Sequence, residues 1–64
     1  MCQTNVVLEQ GDTDELLLEN VTAIEVIDKG LNIATLFEGP KEYPGVAIHR
    51  IDFNEGKVYL HKLP

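Results

Sequence analysis

The sequence predicts an all-β fold: a small, strongly bent antiparallel barrel of five to six short strands. Apolar and β-branched residues come in short runs separated by turn residues, and no window keeps a helical period over three turns. Two connections, 28–30 and 54–56, share the order Asx-x-Gly, which is typical of tight β-hairpin turns. At 64 residues, the chain is expected to form one domain that spans residues 1–64.

Each predicted strand is a short apolar or β-branched run between polar or glycine-containing segments. In chain order the predicted strands are 5–9, 15–18, 21–27, 31–37, 46–53 and 57–62. A loop containing Pro40 and Pro44 is predicted between the fourth and fifth strands. Both Asx-x-Gly connections are expected to be three-residue turns closed by Gly30 and Gly56 in the left-handed conformation.

The fifth predicted strand contains a change of parity. Val46 and Ile48 are spaced for one face, whereas Ile51 and Phe53 lie on the opposite parity. One extra residue near 49–50 would return all four side chains to the core, which is the effect of a β-bulge. Because a bulge also bends its strand, it favours a curled sheet that buries one face.

The chain has more apolar residues than one small core needs. The predicted core consists of Leu16, Leu18, Ile24, Val26, Ile33, Ile48 and Phe53. A second apolar set, expected on the outer face, consists of Val7, Leu17, Val21, Ala34, Leu36 and Tyr59. A second apolar face on a domain of marginal size predicts a homodimer. The alternative is that the barrel interior takes more of these side chains.

Composition limits the partners and the compartment. Five Lys and Arg against eleven Asp and Glu give a net charge of −6, which disfavours nucleic-acid binding because phosphate contacts need cations. The longest unbroken apolar runs, such as 16–18, are far shorter than the roughly 20 residues that span a bilayer, and residues 1–5 do not resemble a signal peptide. We therefore expect a cytoplasmic protein without membrane contact, whose thiol stays reduced.

No catalytic residue is predicted. The sequence contains no serine, its five glycines are scattered singly, and its carboxylates are spread over loops and outer faces. The two histidines, His49 and His61, have no cysteine or carboxylate at a spacing that forms an obvious dyad. We therefore do not expect an enzyme.

Cys2 is the main candidate for chemistry, as a metal ligand. If Met1 is kept, its amino group, the Cys2 amide nitrogen and the thiolate can close two fused chelate rings. If Met1 is removed, the amine and thiolate of Cys2 close one ring, which the Gln3 amide nitrogen can extend. Planar nitrogen and sulfur donors suit nickel(II) or copper(II) better than zinc. His49, beside the predicted bulge, is a weaker candidate ligand, and a contribution from His61 is left open; the alternative is that Cys2 is incidental.

Four segments of the chain together form a recognisable pattern: Met1-Cys2, Leu-Glu-Asn-Val-Thr at 18–22, Leu-Phe at 36–37 before a charged loop, and Ile-Asp-Phe at 51–53. This pattern resembles the CooT family of small nickel-binding accessory proteins. The resemblance implies a small Sm- or SH3-like β-barrel that forms a homodimer and binds nickel(II) through Cys2. It also implies a metal carrier for a nickel enzyme, carbon monoxide dehydrogenase, or for its maturation machinery.

The resemblance transfers a functional role to Cys2 alone. The histidines are not part of the family pattern, and the order Glu38-Gly39 departs from the expected order in that loop. Two-fold symmetry would bring the two Cys2 residues of a dimer together, which predicts one nickel ion per dimer. The alternatives are an RNA-binding Sm-like module and a metal-free protein-interaction barrel.

Overall fold

The computed structural model describes residues 4–64, and every regular element in that range is a β-strand. The strands are β1 Thr4–Gln10, β2 Thr13–Ile27, β3 Gly30–Thr35, β4 Lys41–Pro44, β5 Val46–Asp52 and β6 Lys57–Lys62. The predicted all-β class is confirmed. Across residues 4–64 no helix is long and apolar enough to cross a membrane.

The six strands form one sheet in the order β4-β3-β2-β1-β6-β5. All neighbouring strands are antiparallel except β1 and β6, which run parallel. Strands β4 and β5 are the two edges of the sheet, and in the sequence only Gly45 separates them. Its N–H donates to the Lys29 carbonyl at 2.7 Å, and its carbonyl accepts from the Leu63 N–H at 2.8 Å. The sheet therefore curls into a half-barrel, which confirms the predicted bent barrel.

Two predicted strands, 15–18 and 21–27, are one long strand in the structure. β2 is continuous because Asn20 takes a left-handed conformation, with φ of 57°, and bends the strand without ending it. The segment between the fourth and fifth predicted strands was predicted to be a loop. That prediction is wrong, because the segment contains the strand β4. Pro44 is compatible with β4 because it is the last residue of a strand at the sheet edge, where proline is tolerated.

The two Asx-x-Gly connections differ. Gly56 has φ of 69°, so the predicted left-handed glycine is confirmed there. The prediction for Gly30 is wrong, since it is the first residue of β3 and has no positive φ. A Cβ at Gly30 would lie 2.2 Å from the Tyr43 carbonyl oxygen and 2.7 Å from the Pro44 Cα. Glycine is therefore required at this position by the close approach of β4.

The core lies on the concave side of the curled sheet. Its buried cluster consists of Val6, Leu8, Leu31, Ile33, Val46, Val58 and Leu60. Partly buried residues that pack against it are Leu17, Leu18, Val21, Ile24, Tyr43 and Ile48. Four predicted core residues are thus in the core or packed against it: Ile33, Leu18, Ile24 and Ile48. Leu17 and Val21 also pack against the core, in agreement with the alternative that the barrel interior takes more of the apolar side chains.

Three predicted core residues are exposed: Leu16 by 52%, Val26 by 73% and Phe53 by 88%. Phe53 falls in the turn after β5, where it has no strand partner. Leu16 pairs with Val7 on the outer face, since a bulge in β2 shifts the register at this point. Val26 pairs with Leu31 beside the turn that joins β2 to β3.

The predicted bulge in β5 is confirmed. Ile48 pairs with Leu60 and Arg50 pairs with Tyr59, so His49 is the extra residue. The bulge returns Ile51 to the face of the sheet that carries Ile48, as predicted, although Ile51 is 45% exposed near the end of the strand.

The outer face also contains buried apolar side chains. Val7 and Tyr59 are adjacent in the parallel β1–β6 pair, and each is only 7% exposed. The Arg50 guanidinium lies 3.8 Å from the centre of the Tyr59 ring and covers it. Of the predicted second apolar set, Val7 and Tyr59 therefore lie on the outer face, where they are buried within the chain rather than exposed for a subunit contact.

Candidate functional site

The main predicted ligands, Met1, Cys2 and Gln3, lie outside the described residues. The strand that follows them begins at Thr4, which pairs with Val21 near the bend of β2. The next N–H, of Asn5, donates to the Gly56 carbonyl at 2.9 Å. The start of β1 therefore lies between the bend of β2 and the turn that joins β5 to β6.

Exposed apolar side chains collect at this end of the molecule. Leu36 and Phe37 follow β3, whose last residue is opposite Val21, and they are 67% and 79% exposed. Ile51 and Phe53 lie at the end of β5, beside the turn that contacts the start of β1. We call Leu36, Phe37, Ile51 and Phe53 the apolar end. Val26 and Leu63 are exposed at the opposite end.

The other predicted ligand, His49, belongs to a cluster on the outer face. Its Nδ1 lies 2.5 Å from Glu9 Oε1 of β1, and the two side chains are 56% and 24% exposed. His61 of β6 is in register with Glu9, and its ring centre lies 5.6 Å from that of His49 at an angle of 48°. The bulge places His49 so that three strands contribute to one cluster.

Sequence reasoning missed Glu9 and left His61 open. Glu9 is 40 positions from His49, and it reaches the cluster only because β1 and β6 pair in parallel. No local spacing signals that pairing. The alternating pattern of β6 was the one available signal, because it places His61 on the face opposite the core.

The His49 cluster is distant from the start of β1. Glu9 lies five residues beyond Thr4, which is about 17 Å along a strand that rises ~3.4 Å per residue. That His49 and Cys2 of the same chain bind one metal ion stays a prediction. Such a site would have to bridge this separation. Among residues 4–64, no group of three His, Cys, Asp or Glu side chains is arranged to hold a metal ion.

Comparison with known proteins identifies the family. The model of the family described as CO dehydrogenase accessory protein CooT matches residues 1–61. An uncharacterized protein of Methanothermobacter thermautotrophicus is 37% identical over 60 residues, which cover 94% of this chain and 88% of the relative. A crystal structure assigned to CooT of Carboxydothermus hydrogenoformans matches with a TM-score of 0.85 and 24% identity, over 98% of this chain and 100% of that one, and supports the fold. The predicted resemblance is confirmed, and the chain belongs to the CooT family of CO dehydrogenase accessory proteins.

Proposed function

We propose that this chain is a nickel(II) carrier that binds the metal through Cys2 and delivers it to carbon monoxide dehydrogenase or its maturation machinery. The observation that carries the proposal is the family match over residues 1–61, which includes Cys2 and identifies an accessory protein. In this role the chain transfers an ion and is not an enzyme. It would act in the cytoplasm, where its thiol stays reduced.

The donor set next to the amino end suits nickel(II). A thiolate, an amine and an amide nitrogen can lie in one plane, which matches the square-planar preference of nickel(II). A free thiol titrates near ~8.5 and an α-amino group near ~7.7–8.0, so the metal displaces protons from these groups readily at neutral pH. A site with few protein donors also leaves room for a recipient's ligands, so the ion can leave by ligand exchange.

The apolar end supports a homodimer that joins two such sites. Phe37 and Phe53 are 79% and 88% exposed there, and exposed apolar patches of this kind are typical of protein contacts. Two peptide links connect Cys2 to Thr4, which limits their Cα separation to about 7.6 Å. A two-fold axis through the apolar end would therefore bring both Cys2 thiols within reach of one ion.

An absorption titration of the purified protein with nickel(II) tests the proposal. A thiolate-to-nickel charge-transfer band should grow and saturate at half a nickel ion per chain. Cys2→Ala should abolish the band and leave the dimer folded. Gln3→Ala is the matched control, because it keeps every backbone nitrogen and should bind like the parent.

Two results would contradict the proposal. Equal nickel affinity of the Cys2→Ala variant would exclude the thiolate and favour a protein-interaction barrel without metal. One tightly held nickel ion on every monomer would reject the shared site. Gln3→Pro separates the two chelate forms, since proline has no N–H to lose at position 3 and its nitrogen cannot become the amide ligand that contributes only when Met1 is absent.

A further inference from the structure

We propose that His49 and His61 form a second binding site for a divalent transition-metal ion, in which Glu9 positions the His49 ring. The site lies on the outer face of β1, β6 and β5, and none of its ligands is near the start of β1. It therefore does not rest on the proposed role of Cys2.

The contact between Glu9 and His49 prepares one nitrogen for a metal. An ionised carboxylate only accepts hydrogen bonds, so the 2.5 Å contact requires that His49 Nδ1 donates its hydrogen to Glu9 Oε1. In the neutral ring, Nε2 then carries the free lone pair. A carboxylate on the far nitrogen is the usual partner of a metal-binding histidine, because it fixes the ring and raises its basicity.

The second imidazole lies at a distance that one ion can bridge. Rings bound to the same ion through nitrogens ~2.0–2.1 Å away have centres roughly 4.5–6.5 Å apart, depending on the bond angle. The observed separation of 5.6 Å falls in this range. Ala47 is the neighbour of His61 on β5, and its small side chain leaves space beside the ring.

Local charge favours a cation at this position. The guanidinium of Arg50, the residue after His49, is directed at the Tyr59 ring and lies 3.9 Å from Asp52 Oδ2. It therefore does not compete with an ion for the imidazoles. The net charge of −6 adds a long-range attraction that salt reduces.

The ligand set indicates an open site that is weaker than the thiolate site. Two imidazoles would bind the ion, with water in the remaining positions, in agreement with the lack of a three-ligand group among residues 4–64. Imidazole suits nickel(II), copper(II) and zinc(II), so the occupant is a divalent first-row ion of this class.

Nuclear magnetic resonance of the Cys2→Ala protein, titrated with zinc(II), tests the site without the proposed thiolate ligand. The chain has only two histidines, so their ring signals are assigned from His49→Ala and His61→Ala. Both ring signals should shift together and saturate at one zinc ion per chain. Either histidine substitution should abolish the saturable shift of the remaining ring. Glu9→Gln should weaken binding by about tenfold, because it removes the positioning carboxylate.

Glu25→Gln is the matched control, since it makes the same charge change on an exposed strand position away from the cluster. It should leave zinc binding unchanged. A response of only one ring, no saturation below about 1 mM zinc, or equal effects of Glu9→Gln and Glu25→Gln would each overturn the proposal. The proposed Cys2 site is tested independently of the histidine site by nickel absorption. The His49→Ala/His61→Ala double variant should keep the thiolate-to-nickel band.

Discussion

At the residue scale, the backbone of β4 determines that position 30 is glycine. A Cβ at Gly30 would overlap the backbone of Tyr43 and Pro44, and neither group is a flexible side chain that can turn away. Gly30→Ala should therefore lower the free energy of unfolding by about 2–3 kcal/mol, measured by urea denaturation. Gly39→Ala is the control, because a Cβ there meets nothing within 4 Å and should change stability by less than about 0.5 kcal/mol. Equal effects of the two substitutions would contradict this explanation.

In the histidine cluster, the position of His49 could be predicted from the sequence, whereas its partner could not. The parity change between Ile48 and Ile51 was visible in the sequence, and it correctly predicted the bulge at His49. Glu9 could not be recognised as the partner of His49, since it is 40 positions away in the sequence. Nothing in the residues around Glu9 distinguishes it from the other carboxylates of the chain. A ligand pair from distant strands becomes evident only when the strand order is known.

At the scale of elements, the bend of β2 depends on Asn20. Its φ of 57° is a left-handed conformation that asparagine and glycine adopt more easily than β-branched residues. Asn20→Val should lower the free energy of unfolding by about 1–2 kcal/mol relative to Asn20→Gly, measured by thermal or urea denaturation. If the two variants are equally stable, backbone strain at this position does not limit the bend.

Strand β6, between β1 and β5, contributes Leu60 to the core, and this side chain is 0% exposed. Leu60→Ala should cost about 2–5 kcal/mol, because it removes buried methyl groups and leaves a cavity. That loss is comparable with the total stability of so small a domain, so the variant should be largely unfolded by circular dichroism. Leu36→Ala, at a position 67% exposed, makes the same change at the surface and should remain folded. A fully folded Leu60→Ala variant would show that the core tolerates the cavity.

Local signals predicted some elements better than others. β6 begins and ends where its alternating pattern does, and Gly56 closes the turn before it as expected. β4 was missed because it has only four residues and contains Pro44, so its pairing with β3 gave no periodic pattern. Asn20 was interpreted as a break between two strands, since the pattern does not distinguish a bend from an end.

At the scale of the whole molecule, the strand order was the feature that the sequence did not supply. The barrel class follows from short strands and hairpin turns, but the parallel pairing of β1 with β6 joins residues more than 50 positions apart. Neither strand has a local feature that selects the other. This pairing buries Val7 against Tyr59 and brings Glu9 beside His61, so the outer-face cluster depends on it.

The proposed dimer requires that the two ends of the molecule respond differently to added charge. Phe37→Glu/Phe53→Glu places charge at the apolar end, where each side chain is already mostly exposed, so the monomer should stay folded. Repulsion across the two-fold axis and burial of charge should raise the dimer dissociation constant by at least about tenfold, measured by sedimentation equilibrium. Nickel bound between two Cys2 thiols should fall in parallel. Val26→Glu/Leu63→Glu adds the same charge at the opposite end and should leave both properties unchanged. If this second variant dissociates the dimer instead, the interface lies at the opposite end, and the two Cys2 thiols cannot share an ion.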